Sequence, residues 1–133
     1  MIAAVAEPRV VLDLSPLVGT WKNTNAASRG VVSLHIAEAA DSMLTVTAQA
    51  GESWGSAIAH PYSIDGFDAR NALAFNTTFA LGSMDVRLQA NIKAGVLVIA
   101  FLTRFHDDRA NVFTREFYYR TRGSGVGGRE SEI

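Results

Sequence analysis

Near the start of the chain the sequence runs Leu12-Asp13-Leu14-Ser15-Pro16-Leu17-Val18-Gly19-Thr20-Trp21-Lys22-Asn23. A short apolar turn precedes a glycine, and a tryptophan follows that glycine by two residues at the start of a predicted strand. We expect the leucines and the valine of the turn to plug the end of the fold at which this first strand begins.

The rest of the chain consists of short, β-branched, alternating segments separated by turn residues, which is typical of a meandering sheet. Strands are predicted near residues 19–24, 30–37, 43–50, 54–64, 72–81, 84–93, 96–105 and 112–121. Closure into a barrel protects the edges of so many short strands. The predicted fold is therefore all-β: an eight-stranded antiparallel up-and-down β-barrel with a short N-terminal plug turn.

Domain organisation follows from composition. We expect one barrel domain over residues 9–122, a loose N-terminus over residues 1–8 and a disordered glycine-rich tail over residues 123–133. The 133 residues are 48 % hydrophobic, which suits a single core.

Charge and motif content exclude several classes of function. The net charge of −1 comes from 12 basic and 13 acidic residues that are intermixed, so the sequence offers no basic face for nucleic acid. There is no cysteine, and three scattered histidines lack metal-ligand spacing. No apolar run is long enough for a membrane span, and the N-terminus is a poor secretion signal. We expect a cytoplasmic protein with no metal, no cofactor, no nucleic acid and no membrane partner.

Two tight turns predict which side chains face inward. Gly82-Ser83 and Ala94-Gly95 are typical two-residue hairpin loops, so the residues that flank each loop share a face. Counting by twos places Phe75, Phe79, Met84 and Phe101 inside the barrel. The same count leaves an apolar stripe from Val96 to Leu102 on the outside, which favours a homodimer or larger assembly through that strand. The alternative is a patch that a monomer tolerates, or a bulge that breaks the count.

Leu17-Val18-Gly19-Thr20-Trp21-Lys22 resembles the start of the first strand in the calycin superfamily, which comprises lipocalins, fatty-acid-binding proteins and avidins. The chain is also similar to small single-domain bacterial β-barrels with a later Trp-Gly pair, here Trp54-Gly55. The resemblance implies that Trp21 closes one end of the barrel and that Arg120 or Arg122 packs across it. Asn23 and Ser28 resemble the polar pair on the first strand of avidins. Such barrels usually enclose a small molecule.

The last strand must bring one charge inside. Its alternation places either Arg115 or Glu116 in the lumen. We predict that Arg115 faces inward with Phe113 and Phe117, because these are the larger apolar groups. A guanidinium there would hold a ligand carboxylate or polarised carbonyl, or would be paired with a buried carboxylate.

The fourth predicted strand places Trp54, His60 and Tyr62 on one face. If that face is inward, an aromatic wall with one imidazole and one phenol lines the lumen. The alternative is a structural histidine at a bend beside Pro61.

These patterns support three hypotheses. The first is a barrel that binds a largely apolar ligand with one polar or anionic group, contacted by Trp54, Phe75, Phe79, Met84, Phe101, Phe113, Arg115 and Phe117. The second is a cofactor-independent cyclase or isomerase acting on a flexible polyketide- or terpenoid-like substrate, with His60, Tyr62 and Glu116 as catalytic groups. The third is an interaction protein that uses its outer apolar stripe.

Overall fold

The computed structural model describes residues 11–64 and 70–121, where regular structure is β-strand apart from one helical turn at Ala40–Ser42. The strands are β1 (Gly19–Asn23), β2 (Ser33–Ala39), β3 (Met43–Gln49), β4 (Ser53–Tyr62), β5 (Ala74–Ala80), β6 (Met84–Lys93), β7 (Val96–Phe105) and β8 (Val112–Arg120). Each corresponds to a predicted strand. The segments 1–8 and 123–133, predicted to be loose and disordered, lie outside the described residues.

The eight strands form a closed barrel in sequence order, which confirms the predicted fold class. Every pair is antiparallel, and β1 closes the sheet by pairing with β8 as well as with β2. Each strand therefore has a paired neighbour on both sides, although β4 and β5 pair only over residues 60–62 and 74–76.

The hairpin turns set the orientation of the side chains on β5, β6 and β7. Lys93 pairs with Val96 across Ala94 and Gly95, whose φ angles are 53° and 82°. Two positive φ angles in succession are typical of the tight turn that matches the twist of a hairpin. The residues predicted to face inward on these three strands do so, and Phe75, Phe79 and Phe101 are buried.

The plug turn and the last strand seal one end of the barrel. The indole nitrogen of Trp21 donates a hydrogen bond to the Leu17 carbonyl at 3.0 Å. The Arg120 guanidinium lies over the Trp21 ring, 4.8 Å from its centroid, and donates to the carbonyls of Val18 and Pro16. This contact satisfies carbonyls that the plug would otherwise leave unpaired, and it fixes which face of β8 points inward.

Apolar side chains fill the lumen next to this closed end. The interior of an eight-stranded barrel is only just wide enough for such side chains. The fully buried ones include Leu34, Ile36, Leu44, Val46, Phe75, Leu88, Leu97 and Ile99. Among residues 11–64 and 70–121, room inside the barrel therefore lies towards the opposite end.

Candidate functional site

The end of the barrel opposite the plug is open. It is bordered by the connections 24–32, 50–52, 81–83 and 106–111, in agreement with the up-and-down order of the strands. A cavity of about 320 Å³, here called the mouth cavity, lies at this end. Its lining consists of Arg29, Gly30, Val31, Trp54, Met84, Phe101, Thr103, Phe105, Val112, Thr114 and Glu116.

The apolar wall of the mouth cavity is built around Trp54. The pairing of β3 with β4 slips next to Ala48, so that Trp54 is the additional residue of a β-bulge. Gly55 follows with a φ of +80°, which glycine adopts without steric cost. The indole packs against Phe79 and Phe101, with ring centroids 5.5 and 6.5 Å away. The bulge thus turns one large ring into the barrel while the strand continues.

The polar wall is organised by Glu116 of β8. Its Oε1 accepts a hydrogen bond from Asn23 Nδ2 at 2.5 Å and another from Ser28 Oγ at 2.6 Å. Ser28 Oγ also accepts the Gly30 N–H at 3.0 Å. The carboxylate therefore connects the last strand to the connection between β1 and β2, which forms one side of the mouth.

The second carboxylate oxygen, Oε2, lies beside Gly30. A Cβ added to Gly30 would lie 2.9 Å from Oε2, so the absence of a side chain makes room for the carboxylate. Within residues 11–64 and 70–121, no group donates a hydrogen bond to Oε2 and no basic side chain forms an ion pair with Glu116. Glu116 thus keeps an acceptor that another molecule can use.

Tyr118 follows Glu116 by two residues on the same face of β8, closer to the plugged end. It is fully buried, and its hydroxyl donates to the Val31 carbonyl at 2.8 Å. Burial raises the pKa of this phenol, and the Glu116 charge raises it further, against a smaller lowering by the hydrogen bond with Asn23. Tyr118 therefore stays neutral and acts as a fixed donor.

Four of the predicted site residues meet at the mouth. Trp54, Met84, Phe101 and Glu116 line the cavity. Phe79 lies behind Trp54, whereas Phe75 is completely buried in the core. The lumen is thus filled in its closed half and open at the mouth.

The predicted inward orientation of Arg115, Phe113 and Phe117 is wrong. Phe113 and Phe117 are 57 % and 44 % exposed, and Arg115 is on the same outer face. The reason is the alternation of β8: with Arg120 over Trp21, every second residue back along the strand must face inward. The stabilisation from burying the Tyr118 ring and from the hydrogen bonds to Glu116 exceeds the hydrophobic stabilisation that burial of Phe113 and Phe117 would give.

An inward orientation of His60 and Tyr62 is also wrong. The bulge changes the alternation of β4 after Trp54, so Ala59 is buried while both of these side chains are exposed. Tyr62 accepts a hydrogen bond from Asn76 Nδ2 at 3.0 Å. His60 and Tyr62 share a groove of about 390 Å³ on the outside of the barrel, towards the plugged end.

Several residues of the cavity were not among the predicted site residues, namely Gly30, Thr103, Phe105 and Thr114. A usable signal was nevertheless present for the polar wall. The predicted contact of Arg120 or Arg122 with Trp21 already requires Glu116 to share the inner face of β8, close to the Asn23 and Ser28 pair.

At the rim of the mouth, both ring nitrogens of His106 contact hydrogen-bond acceptors. His106 Nδ1 lies 2.7 Å from the Gly82 carbonyl, and its Nε2 lies 3.1 Å from Asp85 Oδ2. Both neighbours are acceptors, so only the imidazolium satisfies both contacts. These contacts raise the pKa of His106, with the Asp85 hydrogen bond as the larger cause and a smaller opposing effect from burial and from Arg104.

The outer face of β7 and β8 is apolar and exposed. Val98 pairs with Phe117 and Leu102 pairs with Phe113, so the predicted stripe on β7 continues directly onto β8. Leu102, Phe113, Phe117 and Tyr119 are each between 44 % and 57 % exposed. Arg115 lies in the middle of this outer face, opposite Ala100.

No cluster of three potential metal ligands occurs in the described part of the chain. In the same residues no helix is long and apolar enough to cross a membrane. Comparison of the chain with protein-family models, with curated proteins and with solved structures gives no match.

Proposed function

We propose that this protein is a β-barrel that binds a small, largely apolar molecule at its open end. The observation that carries the proposal is the mouth cavity itself, which combines an apolar wall at Trp54 and Phe101 with one oriented carboxylate at Glu116. An apolar pocket with a few convergent polar groups is typical of small-molecule sites.

The size of the cavity limits the ligand. Its volume of about 320 Å³ is at the lower end of the range for ligand pockets. The filled core below Trp54 prevents a long chain from entering the barrel. The ligand is therefore compact, with its polar end at the rim or beside Glu116.

We also propose that the chain is a calycin-like barrel. The support is the closed end, where Trp21 is capped by Arg120 from the last strand, as the resemblance of residues 17–22 implies. The anionic ligand group expected from an inward Arg115 loses its support, because that guanidinium lies outside the lumen.

A nuclear magnetic resonance titration with 4-phenylbutanol tests the binding proposal. An uncharged probe of this size is expected to bind with millimolar affinity and to shift amide signals around Trp54 and Phe101. Thr114→Phe fills the mouth and is expected to abolish these shifts. Thr78→Phe introduces the same side chain on the outside of β5 and serves as the matched control. Shifts that are scattered over the outer surface, or that persist in Thr114→Phe, contradict the proposal.

A second candidate function is cofactor-independent cyclisation or isomerisation in the same cavity. It is favoured by one observation: Glu116 holds Oε1 in two hydrogen bonds and leaves Oε2 available, as a positioned general base requires. His60 and Tyr62 take no part in it, since both lie outside the barrel. Turnover of a flexible apolar substrate that is lost in Glu116→Gln, with binding retained, distinguishes this candidate from binding alone.

For the assembly, we propose that a second copy of the chain covers the outer face of β7 and β8. Monomers rarely expose a contiguous apolar patch of this kind, and a two-fold axis brings the same patch of both subunits together. The cytoplasmic location expected from the sequence stays a prediction.

A further inference from the structure

Resting on the proposed binding function, we propose that the ligand is an organic cation: a compact apolar body that carries an ammonium group bound by Glu116. An inward Arg115 predicted an anionic polar end of the ligand, whereas an inward Glu116 favours a cationic one. The site is the mouth cavity, and the group that selects the ligand is the carboxylate beside Gly30.

The hydrogen bonding of Glu116 is incomplete within the described residues. Oε1 is held by Asn23 and Ser28, whereas Oε2 receives no donor from the described residues. A carboxylate oxygen can only accept hydrogen bonds, so its partner must be a donor. A carboxylate ligand placed there would instead meet a like charge, at a cost that burial increases.

The lining of the mouth cavity carries one charged residue of each sign. Glu116 and Arg29 are the two charged residues of its lining. Arg29 is exposed at the rim and forms no ion pair with Glu116. The half-buried carboxylate is therefore the charge that a molecule inside the cavity meets, since an exposed guanidinium is screened by water and salt.

Aromatic rings in the wall of the mouth cavity also favour a cation. Trp54 and Phe101 line the same cavity, and the negative faces of such rings attract cations. The rim already contains one contact of this type, because the Arg109 guanidinium lies 4.0 Å from the centroid of the Phe105 ring. An ammonium between the indole and the carboxylate combines both kinds of attraction.

Three probes with one apolar body test the inference: 4-phenylbutylamine, 4-phenylbutanol and 4-phenylbutanoate, titrated by nuclear magnetic resonance at about 0.15 M salt, where exposed charges are screened. We expect the amine to bind about tenfold more tightly than the alcohol, because a charge-assisted hydrogen bond is roughly twice as strong as a neutral one. The butanoate is expected to bind more weakly than the alcohol.

Glu116→Gln removes the charge and keeps the shape of the side chain. In this variant the amine is expected to lose its advantage, while affinity for the alcohol changes by less than about twofold. Asp108→Asn removes the same charge from the exposed rim connection, outside the lining, and is expected to leave the preference intact.

The outcomes separate the two proposals. Equal binding of amine and alcohol to the wild-type protein, or a preference for the amine that persists in Glu116→Gln, overturns the cationic ligand and leaves a binding barrel. Failure of all three probes to shift signals at the mouth overturns the binding function together with the inference.

Discussion

Replacement of Glu116 tests how the mouth is held together, independently of any ligand. Oε1 accepts two hydrogen bonds, from Asn23 and from Ser28. A hydrogen bond to a charged group contributes about 1.5–3 kcal/mol and a neutral one about 0.5–1.5 kcal/mol. Because Glu116 is only half-buried, the lower limit of about 1.5 kcal/mol per bond applies. The two bonds together then contribute about 3 kcal/mol.

The two substitutions at this position differ in what they keep. Glu116→Ala removes the oxygen that accepts both hydrogen bonds and leaves the amide of Asn23, which is 8 % exposed, with an unpaired N–H. The free energy of unfolding is therefore expected to fall by about 3 kcal/mol. Glu116→Gln keeps an oxygen in the same place with two neutral bonds of about 1 kcal/mol each, so the loss is about 1 kcal/mol. With a urea m-value of about 1.5 kcal/mol/M, the midpoints fall by about 2 M and 0.7 M.

Urea unfolding followed by far-ultraviolet circular dichroism measures both values without relying on the indole of Trp54. Ser28→Ala tests whether the two residues are coupled. The loss of unfolding free energy that it causes must be smaller in the Glu116→Ala background than in the wild-type protein. Equal midpoints for the Ala and Gln variants, or additive effects of Ser28 and Glu116, refute the hydrogen-bonded network as the element that orders the mouth.

Three further perturbations test other parts of the molecule. Arg120→Met removes two hydrogen bonds and the cation over Trp21, so the free energy of unfolding should fall by about 2 kcal/mol. Probe binding at the mouth should be unchanged. Loss of binding in a folded variant contradicts the separation of the two ends. The pKa of His106 is raised in the folded state, so its stabilisation is complete below the unfolded pKa and is lost as pH rises through the folded one. The stability difference between wild type and His106→Gln should therefore shrink from pH 5.5 to pH 8.5, and a constant difference in urea midpoint argues against the imidazolium. The double substitution of Phe113 and Phe117 by serine should convert a dimer into a monomer in analytical ultracentrifugation, and a wild-type protein that sediments as a monomer disproves the interface.

Most of the fold was accessible from the sequence because it depends on local patterns. Alternation with period two identifies strands, and two-residue turns at Gly82 and Ala94 transfer the orientation of one strand to the next. Such transfer needs no knowledge of distant contacts. It therefore predicts β5, β6 and β7 correctly, including the burial of Phe75, Phe79 and Phe101.

The candidate site was accessible only in part, because the two errors arise where that transfer is interrupted. On β4 a single additional residue at Trp54 reverses the orientation of everything that follows, including His60 and Tyr62. The connection 106–111 is too long to determine which face of β8 points inward. The choice between Arg115 and Glu116 therefore depended on comparing side-chain sizes. Side-chain size was the wrong criterion. Two hydrogen-bond donors lower the free-energy cost of burying the Glu116 carboxylate, and the sequence does not show them.

The two ends of β8 are linked by its alternation. Arg120 must face inward to cap Trp21, and the same periodicity then brings Tyr118 into the core and Glu116 to the mouth. The sealing of one end therefore decides which charge a ligand meets at the other. An outward Glu116 next to an inward Arg120 would require a bulge in β8, and the continuous pairing of β7 with β8 from Val112 to Tyr118 contains no such irregularity. A carboxylate at the mouth is thus a consequence of how this barrel closes, and the ligand has to be complementary to it.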